Sequence, residues 1–253
     1  MTEPRPGTRG AALVTGAARR IGRAIGLRLA HAGFDIAIHH HESDADARSL
    51  AEDVRALGRR AALVRADLTD EAQVRDVVPQ AVAALGPLTA LVNNASVFHD
   101  DRVGDLARAG WDLHIETNLR APIVLAEAFA AQAPDGSAIV NLLDQKVLKP
   151  DPRFFSYSLS RAGLWWATQT LAQALAPRIR VNGVGPGPTL PSIHQTDEAF
   201  AAEARGTLLQ RPGDPEAVAD AVLWLIDAPL TTGQMIAVDG GQHLAWRTPD
   251  VQE

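Results

Sequence analysis

The 253-residue chain has no cysteine, a single tyrosine, and two lysines against 22 arginines. The missing cysteine excludes disulfides, thiol catalysis and thiolate metal sites. No apolar run approaches the roughly 20 residues that span a bilayer. The opening MTEPRPGTRG mixes charges and prolines, with no apolar segment of the kind that marks a secretory signal. A net charge of −6 does not match the basic stripe of a nucleic-acid binder. The expectation is a soluble, cytoplasmic protein that acts on a small molecule, with neither nucleic acid nor membrane as partner. Scarcity also draws attention to Tyr157, which has Arg161 four residues on, and to Lys146 and Lys149 a little before it.

Short apolar runs alternate with longer segments of helical period, the pattern of a parallel sheet covered on both faces. Strands are expected at 11–15, 34–39, 61–66, 89–93, 137–143, 178–184 and 234–239. Helices are expected near 20–32, 44–57, 71–85, 105–133, 154–176 and 215–227. Right-handed crossovers make this a single doubly wound α/β domain of seven parallel strands. It is expected over residues 10–247, between tails at 1–9 and 248–253. One long irregular insertion, 185–206, follows a strand's C-terminal end, where substrate lids are built, and a lid is expected near 188–206.

The first strand ends in TGAARRIGRAIG, residues 15–26. A glycine-rich turn between strand and helix brings backbone N–H groups and the positive helix end to a diphosphate. The usual dinucleotide spacing is not met, because Arg20 stands where a middle glycine is expected. Tyr157 and Arg161 lie about 40° apart around a helix, on one face. A fixed charge there favours the phenolate and lowers the tyrosine pKa from its ordinary value near 10. The second strand runs into HHHES, 39–43. Neighbouring side chains on a strand point to opposite faces, so the three histidines do not converge, and no metal site is expected.

TGAARRIG, Asp67, NNAS at 93–96, Asn118, Tyr157, RVNGVGPG at 180–187 and VDGG at 238–241 stand in the order of the short-chain dehydrogenase/reductase family. The resemblance covers nearly the whole chain and implies a Rossmann-type fold. The basic residue replacing the middle glycine, and Asp144 thirteen residues before Tyr157 in place of the family's serine, resemble the pteridine reductase branch. The implied activity is hydride transfer to a dihydropterin or a related C=N or C=O substrate. A carbonyl or 3-oxoacyl reductase is the alternative enzyme. A dinucleotide-binding protein without turnover is the non-catalytic one, because Arg161 replaces the family's lysine.

The resemblance also implies roles. Tyr157 donates a proton, Asp144 orients the substrate and relays, and Arg161 keeps the charge but closes a proton path, since arginine holds its proton. Burial is expected to raise the Asp144 pKa toward the working range; the alternative for Asp144 is a strand-end cap. Asn118 orders a water or holds a helix bend. Lys146 or Lys149 either reaches the ribose or is solvated. Cofactor contacts fall to Gly16, Arg19, Arg20, Ile21 and Gly22 on the turn, and to His40, Glu42 and Ser43 after the second strand. Asp67, Leu68, Asn93, Asn94, Ala95, Pro186 and Gly187 complete them. Ser96, Phe98, Pro188 and Leu190 fall on the substrate side, with Phe98 stacking on a flat heterocycle and Ile193 and Phe200 adding to an apolar wall. Arg19 and Ser43 favour NADP(H). Glu42 would repel a 2′-phosphate and accept from a free ribose hydroxyl, which keeps NAD(H) open. Trp165 and Trp166 are expected in a core or subunit interface, and the family implies a homotetramer.

Overall fold

The strands are short apolar runs because the sheet is covered on both faces. In the computed structural model, residues 9–192 and 195–246 are described. Seven parallel strands stand in the order β3-β2-β1-β4-β5-β6-β7. They are β1 (Ala11–Val14), β2 (Asp35–His40), β3 (Ala61–Arg65), β4 (Leu88–Asn93), β5 (Ser137–Leu142), β6 (Ile179–Pro186) and β7 (Met235–Val238).

Alternate residues of the central strands feed two separate cores. Ala12, Val14, Ile36 and Ile38 pack beneath Ile25 and Leu29 of α1 (Arg20–His31), Leu50 of α2 (Asp44–Ala56) and Val222 of α8 (Pro215–Asp227). Leu13, Leu91, Ile139 and Val181 face the other way. They pack on Val77 of α3 (Glu71–Leu85), on Phe129 of α5 (Ala121–Gln132) and on Ala172 of α6 (Phe155–Leu175). Helix ends are set by local chemistry. Asp70 accepts from Ala72 and Gln73 N–H at the start of α3, and Gly86, at φ 85°, ends it.

Three expectations change. The long helix over 105–133 is two helices, α4 (Arg108–Ile115) and α5, joined through a π-helical turn at Glu116–Arg120. The insertion is not irregular throughout. Thr196 caps α7 (Asp197–Arg205) by accepting from Ala199 N–H, and Phe200 lies on that helix. Arg9, at the inner end of the expected tail 1–9, donates its N–H to Gly33, pairs with Asp227 and covers the Phe34 ring at 4.7 Å. Ile193, residues 1–8 and the tail at 248–253 lie outside the described residues. Trp166 is 70% exposed on α6 in this single chain and Trp165 is half-buried, so neither is in the core. Among the described residues, no helix is long and apolar enough to cross a membrane.

Candidate active site

Chain order reverses between β1 and β4, and ligands of open α/β sheets bind outside the strand ends at such a point. A cavity of about 550 Å³ opens there. Its walls are Gly16 and Arg19 to Gly22 from the first turn, His39 and His41 from the end of β2, and Ala66 to Thr69 after β3. Asn94 to Val97 after β4 close it, with Leu113 and Thr117.

The turn is tied down from beneath. Thr15 Oγ1 accepts from Asn94 N–H at 2.9 Å and from Ala95 N–H at 3.0 Å, while the Asn94 carboxamide donates to the Thr15 and Gly16 carbonyls. A Cβ on Gly22 would sit 2.2 Å from the Gly16 carbonyl oxygen, so only glycine fits at that approach. Arg20 adopts φ 53°, the left-handed geometry a glycine would take at low cost, and its guanidinium donates to the Leu190 carbonyl at 3.2 Å. This ties the turn to the segment that follows β6. Asp67 accepts from Thr69 N–H and hydroxyl, and those bonds hold its carboxyl below the usual range.

Of the expected cofactor residues on β2 and beyond, His40 is buried and points toward Asp44, 3.7 Å away. Burial also lowers its pKa. Glu42 is exposed and Ser43 sits half-buried at the start of α2. None of the three lines the cavity; His39 and His41 do. Strand alternation carries the signal that was missed: if His40 faces α2, its two neighbours face the other side. Arg19 lines the cavity but is paired through Nε with Asp46 at 2.6 Å. Asn93 is fully buried, donating to Asn141 Oδ1 inside the sheet, and is not a contact residue. Gly187 packs against the end of β7, where a Cβ would meet Asp239 Cα at 2.6 Å; Pro186 is half-buried and Pro188 buried.

Beside this cavity α6 presents the tyrosine. Tyr157 is 5% exposed, and its hydroxyl donates to Asp144 Oδ2 at 2.8 Å. The other oxygen of Asp144 accepts from Lys146 N–H at 2.8 Å. The two readings of this aspartate, turn cap and tyrosine partner, are thus divided between its two oxygens. Asp144 is half-buried rather than enclosed. Arg161 is 2% exposed, donates to the Leu142 carbonyl at 3.0 Å and lies 5.4 Å from the Tyr157 ring centroid. The expected lowering of the tyrosine pKa is reversed. Burial, then the Asp144 carboxylate, push the phenol well above its usual range, and the Arg161 guanidinium offsets only part of this.

Asn118 sits in the π-helical turn, fully buried, and grips Val97 at both ends. Its Oδ1 accepts from Val97 N–H and its Nδ2 donates to the Val97 carbonyl, each at 3.0 Å. Nδ2 also donates to Ser160 of α6 at 3.3 Å. Asn118 therefore links the cavity wall to the tyrosine helix. Phe98 stacks on Phe154 at 4.2 Å and meets Tyr157 edge-on at 4.7 Å. Ser96 is exposed at the cavity rim. Lys146 lies over Phe154 at 5.9 Å, and Lys149 donates to the Ala245 carbonyl.

Sequence reasoning also passed over Asp101. The residue preceding α6, Phe154, is left-handed and offers no side-chain cap. Asp101 caps the helix from another segment, accepting Ser156 N–H on Oδ1 at 3.0 Å, the Ser156 hydroxyl on Oδ2 and Phe155 N–H on its carbonyl. His114 Nδ1 lies 2.7 Å from the Ser156 hydroxyl, and its Nε2 accepts from His99 N–H. No spacing in the sequence announces a side-chain cap supplied from 55 residues away.

The residues present fit a dinucleotide. The cavity lies at the switch point, the glycine turn borders it, and Arg161 Nε is a buried donor without a hydrogen-bond partner among the described residues. Among the described residues no group of three His, Asp or Glu stands close enough to hold a metal ion. Fold and site together define an oxidoreductase of the dinucleotide-binding α/β class. The family described as enoyl-(acyl carrier protein) reductase matches residues 16–243, and the chain belongs to it, within the short-chain dehydrogenases/reductases.

The structure is similar to FolM alternative dihydrofolate reductase 1 of Brucella canis complexed with NADP: 47% identity, TM-score 0.94, 99% of this chain and 100% of that one. The Brucella suis FolM, also in complex with NADP, gives 47% identity and TM-score 0.92 over 96% and 99%. The 3-oxoacyl-[acyl-carrier-protein] reductase FabG of Aggregatibacter actinomycetemcomitans is 34% identical over 90% of this chain and 97% of that protein.

Proposed function

We propose that the protein is an NADPH-dependent reductase of a dihydropterin or dihydrofolate-like C=N substrate, working as a homo-oligomer in the cytoplasm. The observation that carries this reading is the Tyr157–Asp144 hydrogen bond of 2.8 Å. A carboxylate at that position accepts from the N–H groups of a pterin ring, whereas it offers nothing to a carbonyl oxygen. The 47% identity to two FolM dihydrofolate reductases with NADP supports both the substrate class and the cofactor.

Gly16, Arg19 to Gly22, His41, Asp67, Leu68, Asn94 and Ala95 would hold the dinucleotide, with Arg161 near its ribose. When bound, the cofactor supplies a hydride. Tyr157, kept protonated by burial and by Asp144, delivers the proton to the substrate nitrogen. Asp144 orients the ring and, being half-buried, passes the replacement proton inward; Arg161 keeps its own. Phe98 supplies an apolar edge for the heterocycle.

A 3-oxoacyl reductase is the second reading, favoured by the FabG relatives. Cofactor oxidation by the purified protein separates the two. NADPH and NADH are supplied in parallel, with a dihydropterin, dihydrofolate and a 3-oxoacyl thioester as substrates. Turnover of a pterin or folate with NADPH, lowered by about 10²-fold or more in Tyr157→Phe, supports the first reading; turnover of the thioester alone replaces it with the second.

A further inference from the structure

His39 is 2% exposed at the end of β2 and lines the cavity wall. Its ring makes two hydrogen bonds to different walls. Gly16 N–H donates to Nδ1 at 3.1 Å, and Nε2 lies 3.2 Å from the Ala66 carbonyl. An N–H donor on one ring nitrogen and a carbonyl acceptor on the other permit a single state: neutral imidazole with its proton on Nε2. The His39 backbone carbonyl also accepts from Ala17 N–H at 3.0 Å. One residue thus joins the glycine turn to the exit of β3, immediately before Asp67.

Both bonded partners carry walls of the dinucleotide cavity, and the mechanism above assigns this residue no work. Resting on the proposed cofactor reading, we infer that His39 is a positioning residue for the dinucleotide. Its Nδ1 acceptor holds Gly16, and with it the diphosphate turn, in the binding geometry. The cofactor need not touch the ring. The charged groups around it are cationic on the turn (Arg19, Arg20) and anionic after β3 (Asp67), with His40 and His41 on its own segment. Protonating the ring would set a second N–H against that of Gly16. Burial opposes this first, with His40 and His41 adding to it, and the pKa lies lowered to about 4.

The test is NADP+ binding, followed by quenching of tryptophan fluorescence, so no substrate is needed. His39→Leu removes the acceptor; His39→Asn restores one, since its Oδ1 occupies nearly the place of Nδ1. Melting temperatures and far-UV circular dichroism identify folded variants. The expected result is a dissociation constant at least tenfold weaker for His39→Leu at pH 7.5, with His39→Asn within about threefold of wild type. As the pH is lowered from 7.5 to about 4, where the His39 ring begins to take up its second proton, wild type loses affinity relative to His39→Asn. Equal binding by wild type and His39→Leu overturns the inference and leaves the cofactor reading intact. Binding by His39→Asn as weak as by His39→Leu overturns the acceptor role. Should His39→Leu not fold, the Asn comparison and the pH series decide alone. Wild-type protein that binds neither NADP+ nor NAD+ overturns the cofactor reading, and the inference with it.

Discussion

The hydroxyl of Tyr157 donates to Asp144 Oδ2 across 2.8 Å, thirteen residues apart in sequence and joined by the end of β5 and the start of α6. The bond places the chain's one tyrosine between a carboxylate and the Arg161 guanidinium. Burial, with the carboxylate adding to it, wins, so the phenol stays protonated where an isolated tyrosine would begin to ionise. A protonated phenol is the form that can donate to a substrate after hydride arrives. Tyr157→Phe should therefore lower kcat by about 10²–10⁴, the usual worth of general acid catalysis. NADP+ affinity should remain within about threefold. Steady-state kinetics beside a binding titration checks both.

The same shift has a sign in stability. The folded pKa of Tyr157 is raised above its unfolded value near 10. Its stabilising contribution is complete below pH 10 and is lost as pH rises beyond that. Urea midpoints between pH 8 and 11 should fall more steeply for wild type than for Tyr157→Phe.

On the acid side the relevant group is His39, with folded pKa lowered from 6.5 to about 4. Its contribution is complete above pH 6.5 and disappears as pH falls toward 4. The shift corresponds to about 3 kcal/mol at full loss. Urea unfolding at pH 7 and pH 4 should show His39→Asn losing less stability over that interval than wild type, by roughly this amount. His114, also buried and lowered, acts in the same direction, so a residual acid loss should persist in the variant.

Asp101 closes the N-terminus of the tyrosine helix from outside it. Asp101→Ala should cost about 1–2 kcal/mol, the loss of a helix cap together with a hydrogen bond to a buried hydroxyl. Because that helix carries Tyr157, kcat should fall while cofactor affinity holds. Asp101→Asn keeps an acceptor and should recover most of the stability in the same urea titration.

Much of this was readable from sequence, for physical reasons. Apolar runs bounded by turn residues mark the strands, and all seven appear within two residues of the expected bounds. The glycine turn was visible because Gly22 admits no side chain. The Tyr157–Arg161 pairing follows from helix period alone, whereas the partnership with Asp144 rested on family resemblance. What escaped depends on contacts distant in sequence. The break at Glu116–Arg120 contains neither glycine nor proline to announce it, and Asn118 is held there by Val97. The direction of the Tyr157 pKa needed the depth of burial, which no spacing reports. His40 was expected at the cofactor because motif matching ignores pleat. Its neighbours, on the opposite face, are the ones at the cavity.

Arg161 stands where the family resemblance implies a lysine, in a chain that has 22 arginines and two lysines. Its buried guanidinium holds the Leu142 carbonyl and leaves Nε without a hydrogen-bond partner among the described residues. Arg161→Met removes the charge and strands that carbonyl. It should destabilise by about 1–3 kcal/mol and weaken NADP+ binding. Arg161→Lys keeps charge and one donor and should change kcat by less than about tenfold, the range in which charge rather than a proton path is what the site needs. Parallel binding and turnover measurements on the two variants distinguish these contributions.

The most direct test of the account compares kcat/KM for a dihydropterin and for a 3-oxoacyl thioester, in wild type and in Asp144→Ser. With Asp144 serving the ring's N–H groups, wild type should favour the pterin, and the serine variant should move the ratio at least tenfold toward the thioester. A wild type that favours the thioester, with a ratio untouched by Asp144→Ser, would contradict it.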